Sequence, residues 1–405
     1  MPPVLTESPV YMTLTDEIKT LNDAHIINTY GERSVALTRG EGMRLWDAEG
    51  REYLDFFAGI AVCNLGHCHP AVTKAICDQA QKLVHVSNLY YIEAQTLLAA
   101  SLCRHSFAEK WFFCNGGAEA NEAAIKLARR YWEKQGTPKP GIITANQSFH
   151  GRTIATVTAT GQPKYHDGFQ PLVPGFSHVP YGKLDTLEAA LSEDTGAVLL
   201  EVVQGEGGVR PGTREYLQGA QALCRERGAF LILDEVQTGI GRTGRTFAYQ
   251  HFGLQPDLVC LAKSLAAGVA MGAVLIGERL GAIPGRVHGS TFGGNPLASA
   301  AANAVLDVLE EEQLCERAAR LGASLQEKLR ALDSPHVREV RGLGLMVGVE
   351  LKQKVGPLVT ALKGRGVLAL GAGATVLRLL PPLVISEADL DTVVAAIGAA
   401  LSELN

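Results

Sequence analysis

Between residues 70 and 297 short apolar runs alternate with helical patterns, and this alternation constrains the fold more than any other feature of the chain. The runs Trp111-Phe-Phe-Cys, Gly141-Ile-Ile-Thr-Ala, Ala197-Val-Leu-Leu-Glu-Val-Val, Phe230-Leu-Ile-Leu, Leu258-Val-Cys-Leu and Ala273-Val-Leu-Ile read as strands covered on both faces. Helical patterns over 118–133 and 214–227 lie between them, so the connections are crossovers and the sheet is mostly parallel. The expected class is α/β.

The ends of the chain read differently. Residues 1 to about 35 form a polar arm with a helix near Leu14 to Asn22, and Ser34 to Phe57 alternates around the turn signal Asp47-Ala-Glu-Gly50, as a hairpin does. A long helix from Pro296 leaves the sheet region, and beyond it come another helix, strands near Val337 and Gly344, and a final helix from Leu390 to Leu404. At 405 residues two domains are expected. The arm and hairpin (1–65) join the C-terminal α+β unit (298–405) in a small domain beside a large one (66–297).

A net charge of −5 without a basic stripe argues against nucleic acid as a partner. No apolar stretch approaches a membrane span, and the N-terminus lacks a basic region followed by an apolar core, so a cytoplasmic protein is expected. The eight cysteines (63, 68, 77, 103, 114, 224, 260, 315) lack paired CxxC spacing and read as reduced core thiols. His67-Cys68-His69 offers no metal site, because adjacent residues cannot easily converge on one tetrahedral ion and no second cluster follows.

Two strand ends carry the chemistry. Asp234 closes one apolar run and Lys263 follows the next, and the carboxyl ends of such strands are where open α/β sheets bind ligands. A desolvated lysine loses proton affinity and can attack carbonyls, while an Asp is the partner that a pyridinium nitrogen needs, so pyridoxal phosphate chemistry is the leading idea. Strands also end in Asp or Lys merely because the chain is leaving the core. Further candidates stand at neighbouring loops. Asn115-Gly-Gly-Ala-Glu-Ala opens a helix with free amides suited to an anion, and Phe149-His-Gly-Arg152 offers a ring that can stack and a guanidinium that can grip a carboxylate.

The motifs Asp55-Phe, Gly66-His-Cys-His-Pro, Gly117-Ala-Glu-Ala-Asn-Glu-Ala-Ala-Ile-Lys-Leu-Ala-Arg, Phe149-His-Gly-Arg-Thr, Gln204-Gly-Glu-Gly-Gly, Asp234-Glu-Val-Gln-Thr-Gly and Gly293-Gly-Asn-Pro-Leu-Ala stand in one order along the chain. In this the chain resembles the class III aminotransferases, pyridoxal-phosphate enzymes of fold type I, from about Glu41 to Pro382. The resemblance implies that Lys263 bonds to the cofactor and shuttles the proton, and that Asp234 pairs with the ring nitrogen. It implies Val236 and Gln237 against the ring and its phenolic oxygen, Phe149 on the other face, and Gly117 and Ala118 amides on the phosphate. Thr291 would reach that phosphate from a neighbouring subunit, so a homodimer with shared sites is implied.

For substrates the resemblance points to Arg152, Glu206, Ser290 and Arg378. Arg378 would receive the α-carboxylate of glutamate, Glu206 would neutralise it when the other donor is bound, and Arg152 would take the far carboxylate of either. The implied reaction is reversible exchange of an amino group between N2-acetyl-L-ornithine and 2-oxoglutarate, a step of arginine biosynthesis. Ornithine δ-aminotransferases carry a tyrosine for the free α-amino acid where Ile60 stands, and an apolar residue suits an acylated amine better. Succinylornithine, succinyldiaminopimelate and a carrier-bound lysine precursor stay open as donors. Gly116 stands where the family usually has Ser, which removes a hydroxyl near the phosphate. An aminomutase, racemase or decarboxylase on the same scaffold is the nearest rival, and a binding module that kept only the fold is the rival of another kind.

Overall fold

A computed structural model describes residues 12–281 and 283–404; the first eleven residues of the N-terminal arm, and the reading of them as free of a leader, lie outside the described residues. A seven-stranded sheet runs in the order Lys110–Cys114, Gly272–Ile276, Leu258–Leu261, Phe230–Asp234, Thr195–Glu201, Gly141–Ala145 and Phe176–Val179. Gly272–Ile276 is antiparallel to both its neighbours, and all other pairings are parallel. This is the mostly parallel α/β sheet that the apolar runs predict. Its central strands are buried along their whole length, because helices cover both faces. The edge strand Phe176–Val179 is absent from the sequence reading, since Phe-Ser-His-Val at a half-exposed edge has no apolar run to betray it.

Local signals set the helices that cover the sheet. In Gly117–Lys134 the buried positions Ala120, Ala123, Ala124, Leu127 and Ala128 recur at helical spacing and face the strands, where small side chains allow close approach. Thr213 caps Arg214–Glu226 by accepting from the Tyr216 amide at 3.2 Å. Asn295 caps Pro296–Glu311, accepting from Ala298 at 2.9 Å with proline in the first helical position. Each such cap contributes about 1 kcal/mol.

The two chain ends meet. Leu37–Glu41, Arg44–Asp47 and Glu52–Asp55 form an antiparallel meander, and Val367–Leu368 adds to it in parallel with Leu54 opposite Val367. A second four-stranded sheet, in the order Val337–Leu343, Met346–Leu351, Val376–Leu379, Leu370–Ala372, is antiparallel throughout. Helices Leu314–Ala331, Gly356–Gly364 and Glu387–Ser402 accompany it.

A buried guanidinium joins this part to the large sheet. Arg242 donates from Nη1 to Leu345 O at 2.9 Å and Pro381 O at 2.5 Å, and from Nη2 to Asn64 Oδ1. No helix among the described residues is long and apolar enough to cross a membrane. Of the cysteines only Cys114, Cys224 and Cys260 are buried; Cys68 and Cys77 are exposed, so the reading of all eight as core thiols is corrected. Cys68 precedes, and Cys77 lies on the outer face of, Pro70–Lys82, a helix that buries only Val72.

Candidate active site

Parallel strands expose their carboxyl ends along one edge, and a cavity of about 330 Å³ opens there. Its walls include Lys263, Asp234, Val236, Gln237, Phe149, Gly117, Ala118, Glu201 and Glu206. Residues from five segments of the sequence thus converge.

Lys263 follows the buried strand Leu258–Leu261 and holds a left-handed backbone, φ +44°, a conformation costing about 1–3 kcal/mol in a residue with a side chain. Packing of the buried Leu265 and Ala266 just beyond it sustains the strain. Burial, and then the nearby Arg378 guanidinium, push the Lys263 amine below the ordinary lysine range. Depressed proton affinity is what a nucleophilic amine requires.

Asp234 is held by three donors. Its Oδ2 accepts from Asn121 Nδ2 and from His150 Nδ1, each at 2.8 Å, and its Oδ1 accepts from the Val236 amide at 3.0 Å. The carboxylate therefore fixes the His150 tautomer, with the proton on Nδ1. Neither His150 nor Asn121 was among the residues expected to take part, although both lie within the quoted motifs.

The adjacent strand contributes another carboxyl. Glu201 stands in register beside Asp234, its Oε2 accepting from the Phe149 amide at 3.2 Å and its Oε1 from the Gly205 amide at 3.3 Å. Burial first and the Asp234 charge second push its pKa well above the usual carboxylate range. The signal for Glu201, an acid closing the apolar run Ala197-Val-Leu-Leu, matched that for Asp234. In the sequence Val202 and Val203 continue the apolar run and hide this strand end.

Arg378 enters from the second sheet, where it lies in the strand Val376–Leu379. Only 2% of its side chain is exposed, and its Nη1 donates to Glu206 Oε1 at 2.7 Å and to Gln237 Oε1 at 3.2 Å. Arg378 Nε has no protein partner. Arg152 is not a wall of the cavity; it is exposed, with its guanidinium carbon 4.2 Å above the Tyr165 ring and 5.5 Å from that of Phe149. Ile60 is half-buried in a left-handed turn, φ +67°, and the cavity wall nearest in sequence is Val62.

Ser290 and Thr291 are not brought into this cavity by their own chain. They line a second space of about 330 Å³ with Asn115, Glu119 and Glu122. Ser290 Oγ is engaged there, accepting from Asn115 Nδ2 at 3.2 Å and the Gly293 amide at 3.1 Å.

The residues fit a flat phosphorylated ring. Gly117–Lys134 begins at the cavity without any side-chain cap, so the amides of Gly117 and Ala118 are free for an anion. Buried polar atoms without protein partners, Asn121 Oδ1 and His150 Nε2, belong to residues of the same wall. Gly117 also allows Val236 to close in, because a Cβ there would meet Val236 Cγ1 at 2.7 Å.

Residues 27–401 match the family model described as aminotransferase class-III. The chain is 50% identical to an acetylornithine aminotransferase from Gloeobacter violaceus, covering 94% of this chain and 97% of the relative. It is 47% identical to another of that name from Methanothermobacter thermautotrophicus, over 96% and 100% of the two. Among solved structures it is similar to the ornithine aminotransferase of Toxoplasma gondii, with a TM-score of 0.92, 34% identity and 96% of each chain covered. The acetylornithine aminotransferase of Elizabethkingia anophelis gives a TM-score of 0.86 and 34% identity over 97% of this chain and 100% of that one.

Proposed function

The chain belongs to the class III aminotransferases, pyridoxal-phosphate enzymes of fold type I, and from that premise we propose that it moves the terminal amino group of N2-acetyl-L-ornithine to 2-oxoglutarate. The products are N-acetylglutamate 5-semialdehyde and glutamate. The observation that carries this reading is the buried Arg378 closed by a half-exposed Glu206 inside one cavity. Such a pair lets one site present either a neutral wall or a cation.

Pyridoxal phosphate, when bound, supplies the electron sink that a carbon needs on losing its proton. Asp234, anchored by Asn121 and His150, would pair with the ring nitrogen and keep it protonated. Phe149 and Val236 would hold the flat ring between them, Gln237 its phenolic oxygen, and the Gly117 and Ala118 amides the phosphate. Lys263, its proton affinity lowered by burial and Arg378, accepts the proton at Nζ from the substrate carbon and returns it on the way to product.

Arg152, exposed beside the Phe149 ring, binds the α-carboxylate of acetylornithine and the side-chain carboxylate of glutamate. With the acylated donor present Glu206 stays on Arg378. With glutamate present Glu206 swings aside and Arg378 binds the α-carboxylate bidentately.

Several further readings accompany this one. Ser290 and Thr291 serve the site of a second copy, Thr291 at the phosphate, in a homodimer that works in the cytoplasm. Exposed Leu83, Val84, Leu89, Tyr90, Tyr91 and Phe292 support such an interface. The functional division of the chain is an arm and hairpin over 1–65, a cofactor domain over 66–297 and a small C-terminal unit over 298–405.

The test is a comparison of acetylornithine, succinylornithine, succinyldiaminopimelate and free ornithine with 2-oxoglutarate. Acetylornithine is expected to give the highest kcat/KM. Preference for free ornithine would refute the donor assignment and leave the family intact.

A further inference from the structure

A carboxyl group in the wall of the cavity has no part in the chemistry described so far. Glu201 is 6% exposed and closes its strand directly beside Asp234. Its two oxygens reach two different segments: Oε2 accepts from the Phe149 amide and Oε1 from the Gly205 amide. Phe149 carries the ring that flanks the cofactor, and Gly205 immediately precedes Glu206, the cover on Arg378. Gly205 is also where the Gln237 side chain packs, too close to leave room for a Cβ.

We propose that Glu201 is a positioning residue: its carboxyl clamps the Phe149 loop to the Glu206 turn, so that cofactor retention and the choice between the two amino donors depend on one side chain. This rests on the amino-transfer reading above.

The energetics argue against a merely structural cap. Both hydrogen bonds are longer than the usual N–H to oxygen distance, so each returns little. Burying a carboxyl beside a second carboxyl is costly in comparison. Stability alone would be served better by an apolar side chain and a water on each amide. The carboxyl is placed where it ties two loops to one strand end.

Burial and the neighbouring Asp234 push the Glu201 pKa well above the usual carboxylate range, and glutamine is close to the side chain in shape. Glu201→Gln can still accept from one of the two amides, and Glu201→Ala from neither. Cofactor dissociation is measured by titrating apo-protein with pyridoxal phosphate, alongside kcat/KM for acetylornithine and for glutamate and the thermal midpoint.

Glu201→Ala is expected to raise the cofactor dissociation constant about tenfold and to shift the ratio of the two kcat/KM values about tenfold, with an unchanged or higher midpoint. Glu201→Gln, which keeps only one of the two amide bonds, should show both shifts at less than the alanine variant's size. Should the alanine variant fail to fold, Glu201→Asp, too short to span both amides, must show the same two shifts. The proposal is overturned if dissociation and ratio stay within about twofold of wild type, or if both change only in step with a falling midpoint. Wild-type protein that binds cofactor and turns over both substrates keeps the amino-transfer reading standing, so only the role of Glu201 is then lost.

Discussion

Arg378 Nη1 lies 2.7 Å from Glu206 Oε1, with 2% of the arginine side chain exposed against 24% of the glutamate. The asymmetry decides which partner moves. Arg378 is fixed in a strand and also held by Gln237, whereas Glu206 sits on a turn at the cavity edge. Removing the carboxylate leaves a buried guanidinium uncovered, and a neutral acylated donor must then share the cavity with it. Glu206→Ala is expected to lower kcat/KM for acetylornithine by roughly tenfold to a hundredfold, while that for glutamate changes little or rises. Single-turnover measurements of each half-reaction check this.

Gly116 offers a gain of function. Its backbone is extended, a Cβ there would meet nothing within 4 Å, and it precedes a helix start with no side-chain cap. Serine at this position adds a hydroxyl where both the helix amides and the phosphate can use it. Gly116→Ser should tighten pyridoxal phosphate binding by about threefold to tenfold, read from titration of the apo-protein.

A histidine distant from the chemistry sets part of the pH dependence of stability. His67 Nε2 pairs with the fully buried Asp55 at 2.7 Å, and this bond, with Cys63 next, raises the ring's pKa to about 10 from 6.5. The folded protein thus holds a proton that the unfolded chain releases near pH 6.5. The resulting stabilisation is complete below that pH and is lost as pH rises through about 10. The thermal midpoint should fall between pH 7 and pH 10, and His67→Gln should flatten that fall while lowering the midpoint at pH 7.

Arg242 is fully buried, and burial lowers its pKa to about 9. Its three acceptors, Leu345 O, Pro381 O and Asn64 Oδ1, tie the C-terminal segments and the turn around Asn64 to the large sheet. Arg242→Met fills the space and strands those oxygens. Unfolding free energy should drop by about 3 kcal/mol or more, read from denaturant titration.

Much of this was legible in the sequence, for a reason visible in Asp234 and Lys263. A polar residue that breaks an apolar run marks the end of a strand, and strand ends in a parallel sheet share one edge. Glu201 carries the same mark but is hidden by Val202, a bend, and Val203, which opens the separate short strand Val203–Gln204. Contacts such as Gln237 with Arg378 could not be read at all. They join residues 141 positions apart, and only the packing of one sheet against another brings them together. Phe176–Val179 escaped because edge strands need no apolar pattern. For Ser290 and Thr291 the limit is different in kind: within one chain they line a separate space with Asn115 and Glu119, away from the cavity that holds Lys263.

The central claim is that one cavity, with Lys263 as its amine, takes an amino group from acetylornithine and gives it to 2-oxoglutarate. Protein loaded with pyridoxal phosphate should lose its visible absorption band on mixing with acetylornithine alone and regain it when 2-oxoglutarate is added, and Lys263→Ala should do neither. A band that saturating acetylornithine leaves untouched in the wild-type protein would contradict the account.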